Sequence, residues 1–289
     1  MRCIVAHSTK YTYSEKVLFA NHIIRLTPKH QKHLTLHSYE LKIDPKPSML
    51  YRYEETDGSL AYNAFFNEKS DYLSIEHFSD LSLEEYNPWN FLITPPEFSK
   101  IPFTMTVETD PDLMPFLREL EPLSDEVKEF IYYTSNDVQD DTIGFTSKMC
   151  SKIREIISYQ RSTSAHPQLV NETFRTRKGS CRDMAVAFLQ ICRFAGIPAR
   201  FVSGYAIKVP PKGENPDLHS WVDLYIRGGG WMAFDPTLGL IPTGAQVALT
   251  SSADPKLTMP ITGGYYGTAQ AKLDHLLTYK FIDFPKPVK

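Results

Sequence analysis

Polar and apolar residues alternate through much of the first third of the chain. From His7, the residues His7, Thr9, Tyr11 and Tyr13 fall on one side of a period-two pattern and Ser8, Lys10 and Thr12 on the other, which is the repeat of a β-strand. Similar runs follow at 35–43, 48–53, 59–66 and 70–78, rich in aromatic and β-branched residues and separated by Pro, Asp-Gly or Asn-Glu breaks. Short strands at this spacing predict a small antiparallel sandwich of roughly 90–100 residues. The segment 94–115, with Pro95, Pro96, Pro102, Pro111 and Pro115, disfavours continuous regular structure and reads as a domain boundary.

Beyond the boundary the period lengthens. Ser124 precedes DEVKEFIYY, a helix start with acidic residues in the first turn, and a second helix is predicted over 145–158 with Phe145, Met149, Ile153, Ile156 and Ile157 on one side. A third is introduced by Gly179-Ser180, begins at Cys181 and stops at Gly196 and Pro198; Ser180 and Asp183 form a near relative of the capping box. The pattern then returns to strands at 199–207, 219–226 and 231–236, with glycines 228–230 between the last two. The class is therefore α+β: an N-terminal antiparallel β-sandwich over 1–105, then helices packed on an antiparallel sheet over 116–289.

Composition narrows the range of functions. The 289 residues are 42% hydrophobic and 22% charged, with 31 basic against 34 acidic side chains, so no excess of cations draws the chain to nucleic acid or anionic lipid. The apolar cluster near the N-terminus is too short for a secretory signal and no run is long enough for a membrane span, so the expected location is cytoplasmic. Cys3, Cys150, Cys181 and Cys192 are too few and scattered for a disulfide framework or a zinc site. His30, His33 and His37 read as surface histidines, and neither a metal nor a cofactor is expected.

Cys181 is the cysteine with a chemical argument. At the first turn of a helix it meets unsatisfied backbone N–H groups and the positive end of the helix dipole, which favour thiolate over thiol; Arg182, Arg175, Arg177 and Lys178 act in the same sense if they fold within reach, or else form a solvated face. If 219–226 and 231–236 pair as a hairpin with Tyr225 opposite Gly229, His219 faces Asp235, close enough for a carboxylate–imidazole hydrogen bond. Taken singly, Cys181 reads as a buried thiol, His219 as a strand histidine and Asp235 as a turn residue before Pro236. Together they supply a nucleophile, a base and its orienting acid.

The segments GSCRDMA (179–185), GIPARFVSGY (196–205), HSWVDLY (219–225) and GWMAFDPTLG (230–239) resemble, in this order, the transglutaminase-like core, a branch of the papain-like cysteine enzymes. His7-Ser8-Thr9, Tyr11, Tyr13, Val17 and Tyr86-Asn87-Pro88 are similar to the bacterial N-terminal domain that often precedes it, whose Asp-Phe-Gly-Asn-type turn is here Asp57-Gly58-Ser59. The resemblance implies a papain-like core with Cys181 as nucleophile, His219 as base and Asp235 as orienting acid, and aromatic cover from Trp221 and Trp231. Two positions depart from the pattern: Arg182 stands where many bacterial relatives have Gln, and SSADPKLTMP (251–260) replaces a segment that usually reads Gly-Arg-Asp-Tyr.

The expected activity is acyl transfer through a thioester on Cys181, with hydrolysis of a peptide or isopeptide-like amide favoured over transamidation of protein glutamine. A peptide- or protein-binding module without catalysis is the competing class. No acidic calcium loop is visible, and the expected partner is a peptide or protein amide substrate, with no nucleic acid or membrane. Tyr159 or Gln160 is the candidate second donor to an oxyanion, beside the Cys181 backbone N–H. Oligomeric state is not legible in the sequence.

Overall fold

A computed structural model describes residues 1–101, 105, 108, 110–136, 138, 141–162, 164, 166–207 and 216–283; Pro102, in the predicted boundary, lies outside the described residues. Six strands come first: β1 (Arg2–Phe19), β2 (His22–Ile24), β3 (Leu34–Asp44), β4 (Met49–Glu54), β5 (Leu60–Phe65) and β6 (Lys69–Leu83). Two 3-10 turns (Pro96–Ser99, Pro111–Leu117) lead to α1 (Asp125–Ser135), α2 (Thr142–Ile156), β7 (Ser158–Tyr159), α3 (Val170–Thr176), β8 (Lys178–Gly179) and α4 (Cys181–Phe194). The chain continues through β9 (Ala199–Ala206), β10 (Leu218–Ile226), β11 (Gly230–Phe234) and β12 (Gln246–Ser252), then β13 (Ile261–Thr262), β14 (Tyr265–Tyr266) and β15 (Ala271–Asp283).

The predicted sandwich forms, and the end of the chain completes it. One sheet runs β14-β1-β6-β3, with β15 also pairing β1, and the other runs β13-β2-β5-β4. Strand β15 follows β1 antiparallel over most of its length, from Arg2 opposite Asp283 to Tyr13 opposite Ala271. The N-terminal strand pattern therefore finds part of its partner more than 200 residues away, where the sequence had suggested no strand. His30 and His37 are exposed as expected, but His33 is buried: its Nε2 donates to the Gln246 carbonyl at 2.9 Å and its ring stacks on Tyr86.

The second layer is the four-stranded antiparallel sheet β11-β10-β9-β12 with the helices packed against it. Helix α4 is buried along nearly its whole length from Asp183 to Arg193, which makes it the axis of the helical core and not an amphipathic surface helix. Its end is fixed by Gly196 at φ +82°, with Gly196 N–H donating to Arg193 O and Ile197 N–H to Cys192 O, a Schellman closure. The buried Arg193 guanidinium donates to the carbonyls of Ala199, Arg118 and Ala253 beyond that end.

Strand β9 serves two cores. Ala199 and Phe201 pack with the helices, whereas Tyr205, and Ile207 just past the strand, pack in the sandwich with Val5, Ile75 and Leu277. The Tyr205 hydroxyl lies between two histidines that oppose each other across β1 and β6, 3.0 Å from His7 Nδ1 and 3.2 Å from His77 Nδ1. The outer nitrogens of these rings meet the hydroxyls of Thr9 and Ser79. All of these groups are buried, so the network is satisfied when both imidazoles are neutral.

Burial depresses His7 to about 4 and His77 to about 3. The unfolded chain binds protons at these sites below about pH 6.5 and the folded chain does not, so stability present above that pH is lost as pH falls. The urea midpoint is expected to decline between about pH 6.5 and about 4, and Tyr205→Phe, which leaves two buried ring nitrogens unpaired, to cost about 2–4 kcal/mol at pH 7 in the same assay. A midpoint flat over that pH range would contradict the account.

Candidate active site

The nucleophile candidate is set by the short parallel ribbon β7–β8 and the helix that follows it. Tyr159 pairs with Gly179, and Gln160 N–H donates to Gly179 O at 2.8 Å, so the segment from 159 runs beside the start of α4. Gly179 is required by space: a Cβ there would lie 2.9 Å from Asp183 Cβ. The predicted capping carboxylate is present, Asp183 Oδ2 accepting from Ser180 N–H at 2.6 Å and Ser180 Oγ–H at 2.8 Å, while Oδ1 accepts from Gln168 N–H at 2.7 Å. Cys181 is the first residue of the helix and is 8% exposed, so it is covered without being sealed off.

His219 stands near the start of β10, opposite Gly204 of β9, with Cys181 close enough on one side to act on its charge and Asp235 hydrogen-bonded on the other. Its Nε2 is 2.7 Å from Asp235 Oδ2, which leaves Nδ1 to face the sulfur. Burial alone would lower the imidazole pKa, but the Asp235 charge and hydrogen bond, with a smaller contribution from Cys181, outweigh it and push the group up to about 10. Asp235 is fully buried; its Oδ1 accepts from the N–H groups of Thr237 and Leu238, so one carboxylate oxygen holds the turn and the other holds the ring.

The three residues meet, but the hairpin register differs from the expected one. Tyr225 lies opposite Trp231, not Gly229, and Ile226 opposite Gly230. Gly228 and Gly230 both adopt positive φ, so the loop takes up Arg227–Gly229 and shifts the pairing by two residues. Asp235 falls just past the last paired residue, Phe234, and reaches His219 diagonally.

Aromatic cover comes from one of the two expected tryptophans. Trp221 is buried and stacks beside His219 with centroids 6.3 Å apart, its indole N–H held by Asp223. It fits because residue 204 is glycine; a Cβ there would lie 2.8 Å from the Trp221 ring and closer still to the Val247 carbonyl. Trp231 sits at the other end of the hairpin, under the Arg200 guanidinium and against Tyr225 and Phe116, about six residues or 20 Å of strand away from His219.

The cations divide similarly. Arg175 pairs with Glu172 and Arg177 with Glu126, so neither is directed at the sulfur, whereas Arg182 donates from Nη2 to Ser162 O at 3.2 Å, beside the ribbon. Burial pushes the Cys3 thiol up to about 11 and raises Cys150 and Cys192 further, in keeping with packing roles. Sequence reasoning missed a cluster on the rim: Asp217 accepts from Arg161 Nη2 at 2.6 Å, and His275 of β15 lies 3.3 Å from Asp217 and 3.2 Å from Arg161. His275 comes from a strand with no local signal, so nothing in the sequence ties it to this place. Among the described residues no group of His, Cys, Asp or Glu is arranged to hold a metal ion, and no helix is long and apolar enough to cross a membrane.

A helix bearing a cysteine, packed on an antiparallel sheet bearing histidine and aspartate, defines a papain-like α+β core. Residues 129–236 match the transglutaminase-like superfamily and residues 3–80 the bacterial transglutaminase-like N-terminal region. The fold is shared with the crystal structure of a "Putative Cysteine Protease from Cytophaga hutchinsonii", at 21% identity over 99% of this chain and 92% of that one, with a TM-score of 0.73. An uncharacterized protein of Mycobacterium tuberculosis is 24% identical over 284 residues, 92% of this chain and 88% of its own length. A protein-glutamine gamma-glutamyltransferase of Pseudomonas aeruginosa is 33% identical over 99 residues, 31% of this chain and 15% of that protein. The two matched regions stand in chain order, a transglutaminase-like core preceded by the bacterial transglutaminase-like N-terminal region.

With its pKa raised, His219 contributes stability that is complete below about pH 6.5 and is lost as pH rises through about 10. Asp235→Asn removes the charge that opposes burial and is expected to move the His219 titration down by about 1–3 pH units, read from its ring-proton NMR shifts. A titration unmoved by that change would mean that Asp235 does not set the charge of the ring.

Proposed function

We propose that this chain is a cysteine-dependent acyl-transfer enzyme that hydrolyses a peptide or isopeptide-like amide through a thioester on Cys181. The observation that carries the reading is the position of His219 between the sulfur and a fully buried carboxylate. A ring held in this way takes the thiol proton on Nδ1 and keeps its charge against burial, so it can act as base and then as acid.

In the first half-reaction the sulfur attacks the amide carbonyl carbon and the carbonyl oxygen becomes negative. The backbone N–H of Cys181 is the first donor to that oxygen, and the 159–160 segment beside Gly179 is the source of the second. Collapse of the tetrahedral species breaks the C–N bond as His219 Nδ1 passes its proton to the departing amine, leaving a thioester. A water then gives a proton to Nδ1 and attacks the thioester; cleavage of the C–S bond releases the acid and returns the thiol. Water is favoured as acceptor because the rim beside the sulfur is open, with Tyr159 and Arg161 about half exposed.

The test combines labelling and turnover. Iodoacetamide is expected to modify Cys181 ahead of the three buried cysteines, and His219→Ala to slow that reaction strongly. Cys181→Ala is expected to lower amide turnover by about 10⁴-fold or more, measured over a panel of peptide and isopeptide amides with and without an added amine. New carboxyl termini support hydrolysis, incorporated amine would replace it with transamidation, and an unreactive Cys181 with a peptide bound intact would favour the binding module.

A further inference from the structure

One edge of the sandwich is uncovered. Strand β4 is the last of its sheet, bonded to β5 on one side, and all six of its residues are exposed. Met49, Leu50, Tyr51 and Tyr53 place large apolar side chains there, and the exposed Phe65 of β5 stands against Tyr51 with ring centroids 6.1 Å apart. Soluble proteins blunt or cover such edges, because the open N–H and C=O groups are a template for another strand.

The turn after β4 shows which backbone groups are open. Glu55 N–H donates to Ser59 O at 2.9 Å, and residues 54 to 49 continue opposite 60 to 65, so the odd-numbered residues of β4 bond to β5. Leu50, Arg52 and Glu54 therefore turn their N–H and C=O groups outward. Their side chains share one face of the strand, with Met49, Tyr51 and Tyr53 on the other. Among the described residues, neither Arg52 nor Glu54 finds a side-chain partner for an ion pair or hydrogen bond. In β3, the outer strand of the other sheet, the same spacing is closed internally, Lys42 Nζ lying 3.3 Å from Glu40 Oε1.

We propose that β4 pairs antiparallel with β4 of a second copy of this chain, about a two-fold axis at Tyr53, so that one sheet runs through both sandwiches. In this register Arg52 faces Glu54 of the second copy and Glu54 faces its Arg52, and one symmetric contact pairs all four open charges. Both positions bond outward, so the backbone ladder closes in the same register. Tyr53 meets its own copy at the closer, non-hydrogen-bonded position, with Tyr51 of each copy diagonal to it. An axis at Arg52 would set Arg52 against itself, and an axis at Tyr51 would leave Arg52 against Leu50 and Glu54 against Ser48. Charge thus selects the register. A foreign peptide could bond to the same backbone groups, but the second copy brings both opposite charges at the matching spacing in its own sequence.

Sedimentation velocity of the full chain over a range of concentrations reads the association directly. The short paired segment, residues 51–55 of each copy, is expected to give a discrete dimer with a dissociation constant of about 1–100 μM. Arg52→Glu and Glu54→Arg should each weaken it by about tenfold or more, since each sets like charges opposite one another, and an equimolar mixture of the two variants should restore a species of two copies. A chain still monomeric at about 500 μM overturns the pairing, as does growth past two copies, an association untouched by both variants, or a mixture that stays monomeric. Cross-linking then fixes the register in a Cys181→Ala background. Two thiols at position 53 lie within disulfide reach across the axis, whereas two at position 49 stand about 27 Å apart along the strands. Diamide is expected to join Tyr53→Cys into a covalent dimer and to leave Met49→Cys single. Equal cross-linking at both positions, or none at 53, overturns the register and with it the role given to Arg52 and Glu54.

Discussion

Burying a carboxylate without a partner is among the costliest things a protein interior can do, and the core is arranged around one such group. Asp235 has no exposure to water, and taking an ionised carboxylate out of water costs several kcal/mol before any partner is counted. Two backbone N–H groups and one imidazole supply the compensation, and the imidazole can supply its full share only as a cation. The raised His219 pKa and the buried Asp235 charge are thus two statements of one interaction. Its geometry depends on the turn that follows β11, where Asp235 O accepts from Leu238 and Gly239 N–H and Asp235 N–H donates to Leu240 O. Gly239 sits at positive φ against Arg154 and Ser151 of α2, so the helical layer fixes the turn and the turn fixes the carboxylate.

What could be read from the sequence follows the range of the interaction responsible. Helix α4 and the place of Cys181 at its first turn were legible because Ser180, Asp183, Gly196 and Pro198 act within a few residues of their own position. The hairpin was legible as a pair of strands and misread in register, because three successive glycines permit more than one loop and the backbone angles at Gly228 and Gly230 choose among them. His219 and Asp235 still met, since cross-strand and diagonal positions both lie within reach of an imidazole. The burial of His33, the pairing of β1 with β15 and the arrival of His275 at the rim are long-range outcomes. Each is decided by which surfaces the whole chain brings together, and none leaves a local pattern.

The sandwich takes part in the same arrangement. Asp57, in the Asp57-Gly58-Ser59 turn, accepts from Lys29 and Ser59 within the sandwich and from Ser251 N–H and Oγ–H of β12 in the core; burial works against its ionisation, but the Ser59 hydrogen bonds and the Lys29 charge hold its pKa at about 2. Tyr205 makes a second tie, reaching from β9 to the paired histidines of β1 and β6. Both β12 and β10 border β9, and His219 lies directly across from Gly204, the residue before Tyr205.

The strand neighbouring the candidate base is therefore held from one side by the helical core and from the other by the sandwich. A shift of the sandwich would have to move Tyr205, and with it Gly204, the only residue type that admits Trp221 so close to the backbone. Displacing that ring disturbs the face on which His219 stacks, at the site where the buried carboxylate needs the imidazole in place. The N-terminal region is for this reason part of the scaffold of the site: the strand beside His219 has no independent seat, because its Tyr205 is packed in the other core.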